Sequence, residues 1–429
     1  MCIVQDDVED KFREISGMRH IYKEAVLTIS ASNSKAANDG FLHDLSNRRT
    51  GLWQSMIPLT YCLPNDRATT MQEAFEMPKD EESRLWLLDE DSYLEAMFSD
   101  PISSRAWCLQ ERVLSPRFLD YGRWPKWRCN HGTKSDGGFY AEDMWSGEAE
   151  RKITAFLLST PEGHSLSLME MNRLYKSWYA LLSHYTKREM SVEADKLHAI
   201  DGIASDISRL TGVRYVVGLW ANNLLHDIMW QTKIGLESLS RPTEWRAPTW
   251  SWASVNTPIS FEPVSDDLDP QATIMGYHCP PAATLRPSHD STDDRPWLQI
   301  RGPLLELDHD KVANLMLSQR MSPAPDMERD EREWYKKTFQ HWLESNDEKL
   351  TNDELRQLLP GKIFGMVVFT QRRLIEKQNS SQTEEVCYSG ILLEEVCDGK
   401  FKRIGGFWDE ARGLLPKAAS WEQRTIVIV

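Results

Sequence analysis

The chain is 429 residues long, 41% hydrophobic and 27% charged, with 65 acidic against 50 basic residues and a formal net charge of −15. That length allows roughly two to three domains with sizeable cores. The acidic balance excludes non-specific nucleic-acid binding, which needs Lys and Arg to neutralise phosphates, and no run approaches the roughly 18 consecutive apolar residues of a membrane-spanning helix.

The opening "MCIVQDD" runs an apolar triplet straight into acidic residues, as the end of a buried strand would. Asp6 or Asp7 then caps a helix over about 7–24, with Val8, Phe12, Ile15, Met18 and Tyr22 on one face. "AVLTISAS" (25–32) is β-branched and small and reads as a buried strand, "NDGFL" (38–42) as a loop, and 64–95 as polar and acidic without firm periodicity. "SSRAWCLQERVLSP" (103–116) is a second helix, capped by Ser103 or Ser104 and stopped by Pro116. A hairpin is expected at 117–130. Helices follow on the faces Leu174/Trp178/Leu181/Tyr185, Leu197/Ile200/Ile203/Ile207/Leu210 and Leu224/Leu225/Ile228/Met229. "APTWSWASV" (247–255) reads as extended, and the Pro-, Asp- and Ser-rich 256–295 as a linker. Strands are expected at 296–307, 361–369, 390–396, 401–407 and 424–429, with a charged helix at 326–345. Seven cysteines, odd in number and scattered, read as reduced thiols of an intracellular protein. Cys129/His131 and His278/Cys279 lack a second pair at zinc spacing, so no metal is expected.

These motifs resemble a known family. "CIVQDD…EISGMRHIYKEAVLTISAS…DGFL" resembles the second conserved block of the fungal heterokaryon-incompatibility (HET) domain, and "SRAWCLQERVLSPRFLDYG…WRC" its third. "YTKREMSVEADKLHAIDGIA", "YVVGLW", "RAPTWSWASV", "FKRIGGF" and "RTIVIV" resemble the region that follows it. The family's first block is missing before Cys2, so an N-terminally truncated domain is expected. The family's Trp-Glu-Cys-like triplet reads Trp127-Arg128-Cys129, a charge reversal. The HET domain is similar to the TIR domain, so the resemblance implies a partial TIR-like, flavodoxin-like α/β parallel sheet. The division expected is a truncated HET domain (1–135), a helical region (136–255) and a β-rich C-terminal part (256–429), α+β overall. It further implies a cytoplasmic protein of nonself recognition and programmed cell death, with protein partners or self-association through the HET domain.

Some TIR domains cleave NAD with a helix Glu in a Trp-Cys-x-x-Glu motif. Here it reads Trp107-Cys108-Leu109-Gln110-Glu111, so the resemblance makes Glu111 the catalytic candidate and NAD a possible substrate. Departure of nicotinamide leaves an oxocarbenium-like ribose that a carboxylate can stabilise. Trp107 lies at i−4 from Glu111 on the same helix face, and it joins Arg105 as a ligand-binding candidate. The competing reading makes Glu111 an ion-pair partner, since Arg112 adjoins it and Arg105 stands just upstream. Trp250 and Trp252, on one side of an extended segment, could floor a flat-ligand pocket or seal a junction between substructures. A third functional reading follows: a HET-like enzyme of fungal specialised metabolism, with a pocket between the middle and C-terminal regions. "GHSLS" (163–167) lacks the second Gly of a nucleophile elbow. Asp195 and Lys196 are expected to cap or pair at a helix start, and Arg403 to be an edge-strand charge or an anion ligand.

Overall fold

The structure is a computed structural model that describes residues 8–36, 38–41, 56–61, 83–88, 100–122, 125–129, 132–135, 146–232, 241–261, 267–280, 295–309, 311–312, 359–376, 382–397, 399–409, 415 and 421–429. It divides into two compact units, residues 1–148 and 149–429. Asp6, Asp7 and the expected helix at 326–345 lie outside the described residues.

In the first unit, helix α1 (Val8–Glu24) buries Met18. Strand β1 (Thr28–Ser30) follows, shorter than its apolar run suggests and less buried: Val26 is 79% and Ile29 56% exposed. Strands β2 (Met56–Tyr61) and β3 (Ser83–Leu88) pair antiparallel, the second of them within the 64–95 stretch that showed no firm periodicity. Helix α2 (Trp107–Leu114) starts later than expected, because Pro101–Ser104 forms its own 3-10 turn. There Ser104 donates its hydroxyl to the Pro101 carbonyl at 2.9 Å instead of capping α2. Strands β4 (Phe118–Tyr121), β5 (Pro125–Cys129) and β6 (Gly132–Ser135) complete a sheet of order β1-β4-β5-β6. Among the described residues, the β1–β4 pair is parallel and the other two pairs in this sheet are antiparallel.

The second unit holds α3 (Ser146–Ser159, whose first turn spans the boundary), α4 (Leu168–Tyr185), α5 (His198–Thr211) and the short α6 (Leu224–Asp227), with two small antiparallel pairs, β7 (Tyr215–Val216) with β8 (Leu219–Trp220) and β9 (Gln231–Thr232) with β10 (Ile259–Ser260). Ser167, which stands where a nucleophile elbow needs its second Gly, caps α4: it accepts from Glu170 N–H at 3.3 Å while Glu170 accepts from Ser167 N–H at 2.8 Å. Gly212 ends α5 at φ +70°, where a side chain would be strained. Apolar faces of α4 and α5 bury Trp178, Leu181, Tyr185, Ile200, Ile203 and Ile207.

The β-rich part uses β13 (Trp297–Leu307), β14 (Ile363–Glu376), β15 (Gln382–Cys397), β16 (Lys400–Asp409) and β17 (Glu422–Ile428). Each matches an expected strand, most of them lengthened. Strand β13 pairs with β17 through Leu298–Leu304 and with β14 through Leu304–Leu307. With β14–β15, β15–β16 and β16–β17 the pairings close a ring. Leu307, Ile363, Val367, Leu392, Ile404 and Phe407 fill one core cluster of this sheet. Part of the expected linker is strand: β12 (Thr273–His278) pairs antiparallel with β13, and β11 (Asp269–Pro270) with β14. The edge-strand reading of Arg403 is corrected, since β16 has β15 on one side and β17 on the other and Arg403 is fully buried. Residues 247–255 turn rather than run extended, because the Ser251 hydroxyl accepts from Ala253 N–H at 3.1 Å and starts a 3-10 turn at Trp252–Ser254.

Candidate active site

Helix α2 places Cys108 and Glu111 one turn apart, and α1 packs beside it and brings Tyr22. The Glu111 carboxylate is half-buried and accepts hydrogen bonds from the Tyr22 hydroxyl and the Cys108 thiol. Burial raises its pKa above the ordinary carboxylate value; the two hydrogen bonds and the positive charge of Arg105 oppose that rise without cancelling it. The same contact raises Tyr22, through burial first and then the negative charge of Glu111. A carboxyl group so placed holds its proton more readily than an exposed one, while its donors define where the charge sits when it ionises.

The end of α2 is fixed as firmly as its cradle. Ser115 donates to the Glu111 carbonyl at 2.7 Å and shares a 2.7 Å hydrogen bond with the Thr28 hydroxyl, tying α2 to β1. The charge reversal at Arg128 has a structural account. Its Nη2 donates to the carbonyl oxygens of Arg112 and, at 3.3 Å, Ser115, where a helix C-terminus favours a cation. Its Cζ lies 5.4 Å from the Phe118 ring. Arg112, the neighbour that suggested an ion pair with Glu111, has its Nη2 3.6 Å from Asp120 Oδ2 on β4.

Of the residues singled out from sequence, Arg105, Trp107 and Glu111 therefore share one unit and one helix start, with Trp107 half-buried and Arg105 exposed. Trp250 and Trp252 belong to the other unit and are completely buried. Trp252 donates its Nε1–H to the Gly218 carbonyl at 2.7 Å, and the Trp250 carbonyl accepts from Trp230 Nε1 at 3.0 Å.

Two polar clusters of the second unit escaped the sequence reading. Asp227 is buried and accepts from Tyr179 Oη (2.5 Å), Trp220 N–H (2.5 Å) and Asn223 Nδ2 (3.1 Å). Burial pushes its pKa up to about 7, against the pull of those three donors. Lys196, expected to cap or pair, instead donates to the Val255 carbonyl at 2.6 Å with its Nζ 5.9 Å from the centre of the Trp252 ring. Burial, reinforced by the charge of Arg246, lowers its pKa to about 7. Nothing local in "WANNLLHDIM" or "EADKLHA" distinguishes these groups from surface polar residues. Among the described residues, no group of three or more His, Cys, Asp or Glu side chains is placed to hold a metal ion, and no helix is long and apolar enough to cross a membrane.

Comparison with known proteins finds one family. Residues 1–111 match the model described as heterokaryon incompatibility protein (HET). No curated protein and no solved structure matches the chain.

Proposed function

We propose that this chain, whose residues 1–111 are a HET-family segment, acts in nonself recognition and programmed cell death of the heterokaryon-incompatibility type. The family match is the observation that carries this reading. Its HET segment, TIR-like in fold, serves as the signalling module in the cytoplasm and engages protein partners or a second copy of itself. Induced expression of the full chain in a filamentous fungus tests it. Loss of viability at verified expression is the expected result, and unimpaired growth overturns it.

The setting of Glu111 favours a second reading, a NAD-cleaving hydrolase. The carboxylate, oriented by Tyr22 and Cys108, stabilises the ribosyl cation as the C1′–N bond breaks. The bonding pair leaves with neutral nicotinamide, and water adds to C1′ and releases a proton. Trp107 and Arg105, on the same helix start, are the ligand-binding candidates. Incubating the purified chain with NAD tests this. Nicotinamide release by wild type and its loss in Glu111→Ala support it. No release by folded wild type, or equal release by both, sinks it.

A further inference from the structure

An edge strand presents unpaired N–H and C=O groups, and proteins guard such edges with charged residues, proline or a covering element. Strand β1 pairs with β4 on one side and, among the described residues, with no strand on the other. From Ala25 to Ser34 the chain carries no charged residue and no proline. Val26, Leu27 and Ile29 are exposed there, although aliphatic side chains of this kind are those a sheet normally buries.

The pairing with β4 fixes how β1 presents its backbone. Thr28 N–H donates to the Arg117 carbonyl at 3.0 Å, and successive residues of a strand turn their polar groups to opposite sides. Leu27 and Ile29 therefore direct their N–H and C=O groups off the free edge. Their side chains share one face of the sheet. On that face Leu119 of β4 stands in register with Ile29, and Trp127 of β5 with Leu119, both half-buried. An apolar row thus crosses the sheet and stops at an open edge.

A second copy of this chain fits that edge. Antiparallel pairing of two β1 strands about Thr28 sets Leu27 of each copy opposite Ile29 of the other, and the two residues of each such pair exchange backbone hydrogen bonds. The pairing is two-fold symmetric, so it closes at two copies, and it continues the apolar row from one sheet into the next. Two chains of net charge −15 repel one another, so a contact between copies needs a neutral patch with opposite charges at its rim. Glu24 ends α1 just before the neutral stretch and Lys35 follows it, and both are exposed. Glu24 Oε1 lies 3.8 Å from His20 Nδ1 in a pair that stays open to solvent. Antiparallel pairing brings the Glu24 end of one copy to the Lys35 end of the other.

We propose that β1 is the interface of a homodimer, in which the free edges of two copies pair antiparallel about Thr28 and Glu24 and Lys35 close the two ends. This names the surface for the self-association in the signalling reading above and rests on that reading only for what the dimer does. The two fail separately: a dimer that leaves fungal growth unimpaired keeps the interface and overturns the signalling role, and a monomer that kills does the reverse.

Size exclusion with light scattering on the full chain, across a dilution series, tests the interface. The expected result is a dimer that dissociates on dilution. Leu27→Lys or Ile29→Lys should leave a monomer, with circular dichroism confirming that these exposed positions tolerate the change. Glu24→Lys and Lys35→Glu should each raise the dimer Kd about five-fold, and the two together should restore it. Hydrogen exchange at the Leu27 and Ile29 amides reads the edge itself, and protection that fades as the dimer dissociates supports the pairing. Protection independent of concentration means that another part of the chain covers the edge, and overturns the proposal. A monomer at every concentration, a polydisperse aggregate, or a dimer indifferent to both lysine variants overturns it as well.

Discussion

Asp227 makes the stability of the second unit depend on pH in a direction opposite to that of most carboxylates. Its pKa is about 7 in the fold against an ordinary value of 3.8. Between those two pH values the native state holds one proton more than the unfolded chain, so stability falls as pH rises. The slope is about 1.4 kcal/mol per pH unit for a single group. Over a window of roughly three units, the stability fully present below pH ~4 drops by about 4 kcal/mol by the time pH passes 7. Asp227→Asn removes the titration and keeps the shape. The new carbonyl can accept from Trp220 N–H and the new amide can donate to Tyr179 Oη, at the loss of the one hydrogen bond that Asn223 Nδ2 gives Asp227 Oδ1; that loss is the same at every pH and cancels in the difference. Guanidinium unfolding of wild type and variant, followed by tryptophan fluorescence between pH 4 and 8, isolates the group by difference. Trp178, Trp220, Trp230, Trp250 and Trp252 are all fully buried in this unit and report its unfolding. Wild type should lose about 4 kcal/mol relative to the variant across the window. Parallel curves would refute the assignment of a raised, buried carboxyl to Asp227.

Lys196 gives the alkaline counterpart. With its pKa lowered to about 7 by burial, the unfolded chain holds the extra proton above that value, so the lysine's contribution rises from pH 7 toward 10.5. Lys196→Met should flatten that rise in the same unfolding assay. Gly390→Ala places a Cβ 2.0 Å from the Met366 carbonyl oxygen and 2.6 Å from Phe407 Cζ; overpacking of this kind should cost about 3 kcal/mol, measured as a fall in melting temperature. Trp252→Phe removes the donor to the buried Gly218 carbonyl and should cost about 2–4 kcal/mol by chemical denaturation. Tyr22→Phe removes one of the two donors that oppose the effect of burial on Glu111, so the Glu111 pKa should rise further, read by carbon NMR of labelled glutamate; an unchanged value would dismiss the cradle.

Local chemistry alone was enough for much of the architecture. The 3.6-residue faces of α1, α4 and α5 and the apolar runs of β13–β17 are legible because burial of one face leaves a period in the chain. The boundaries that slipped are those where a local hydrogen bond competes with the regular element: Ser104 closing a turn before α2, and Ser251 turning the tryptophan segment. At the candidate site, the spacing of Trp107, Cys108 and Glu111 on one helix could be read from sequence. The arrival of Tyr22 from α1 could not, because it depends on a contact between elements far apart in the chain, and neither could the diversion of Arg112 to Asp120, which depends on how β4 folds back beside α2. The same holds for Asp227, Lys196 and Arg403. Each is an ordinary polar residue in sequence, and only the packing of α6 and the 3-10 turns, and the burial of β16 between two strands, strip their water and make them unusual. Charge becomes informative when solvent is removed, and the removal of solvent is a property of the folded chain.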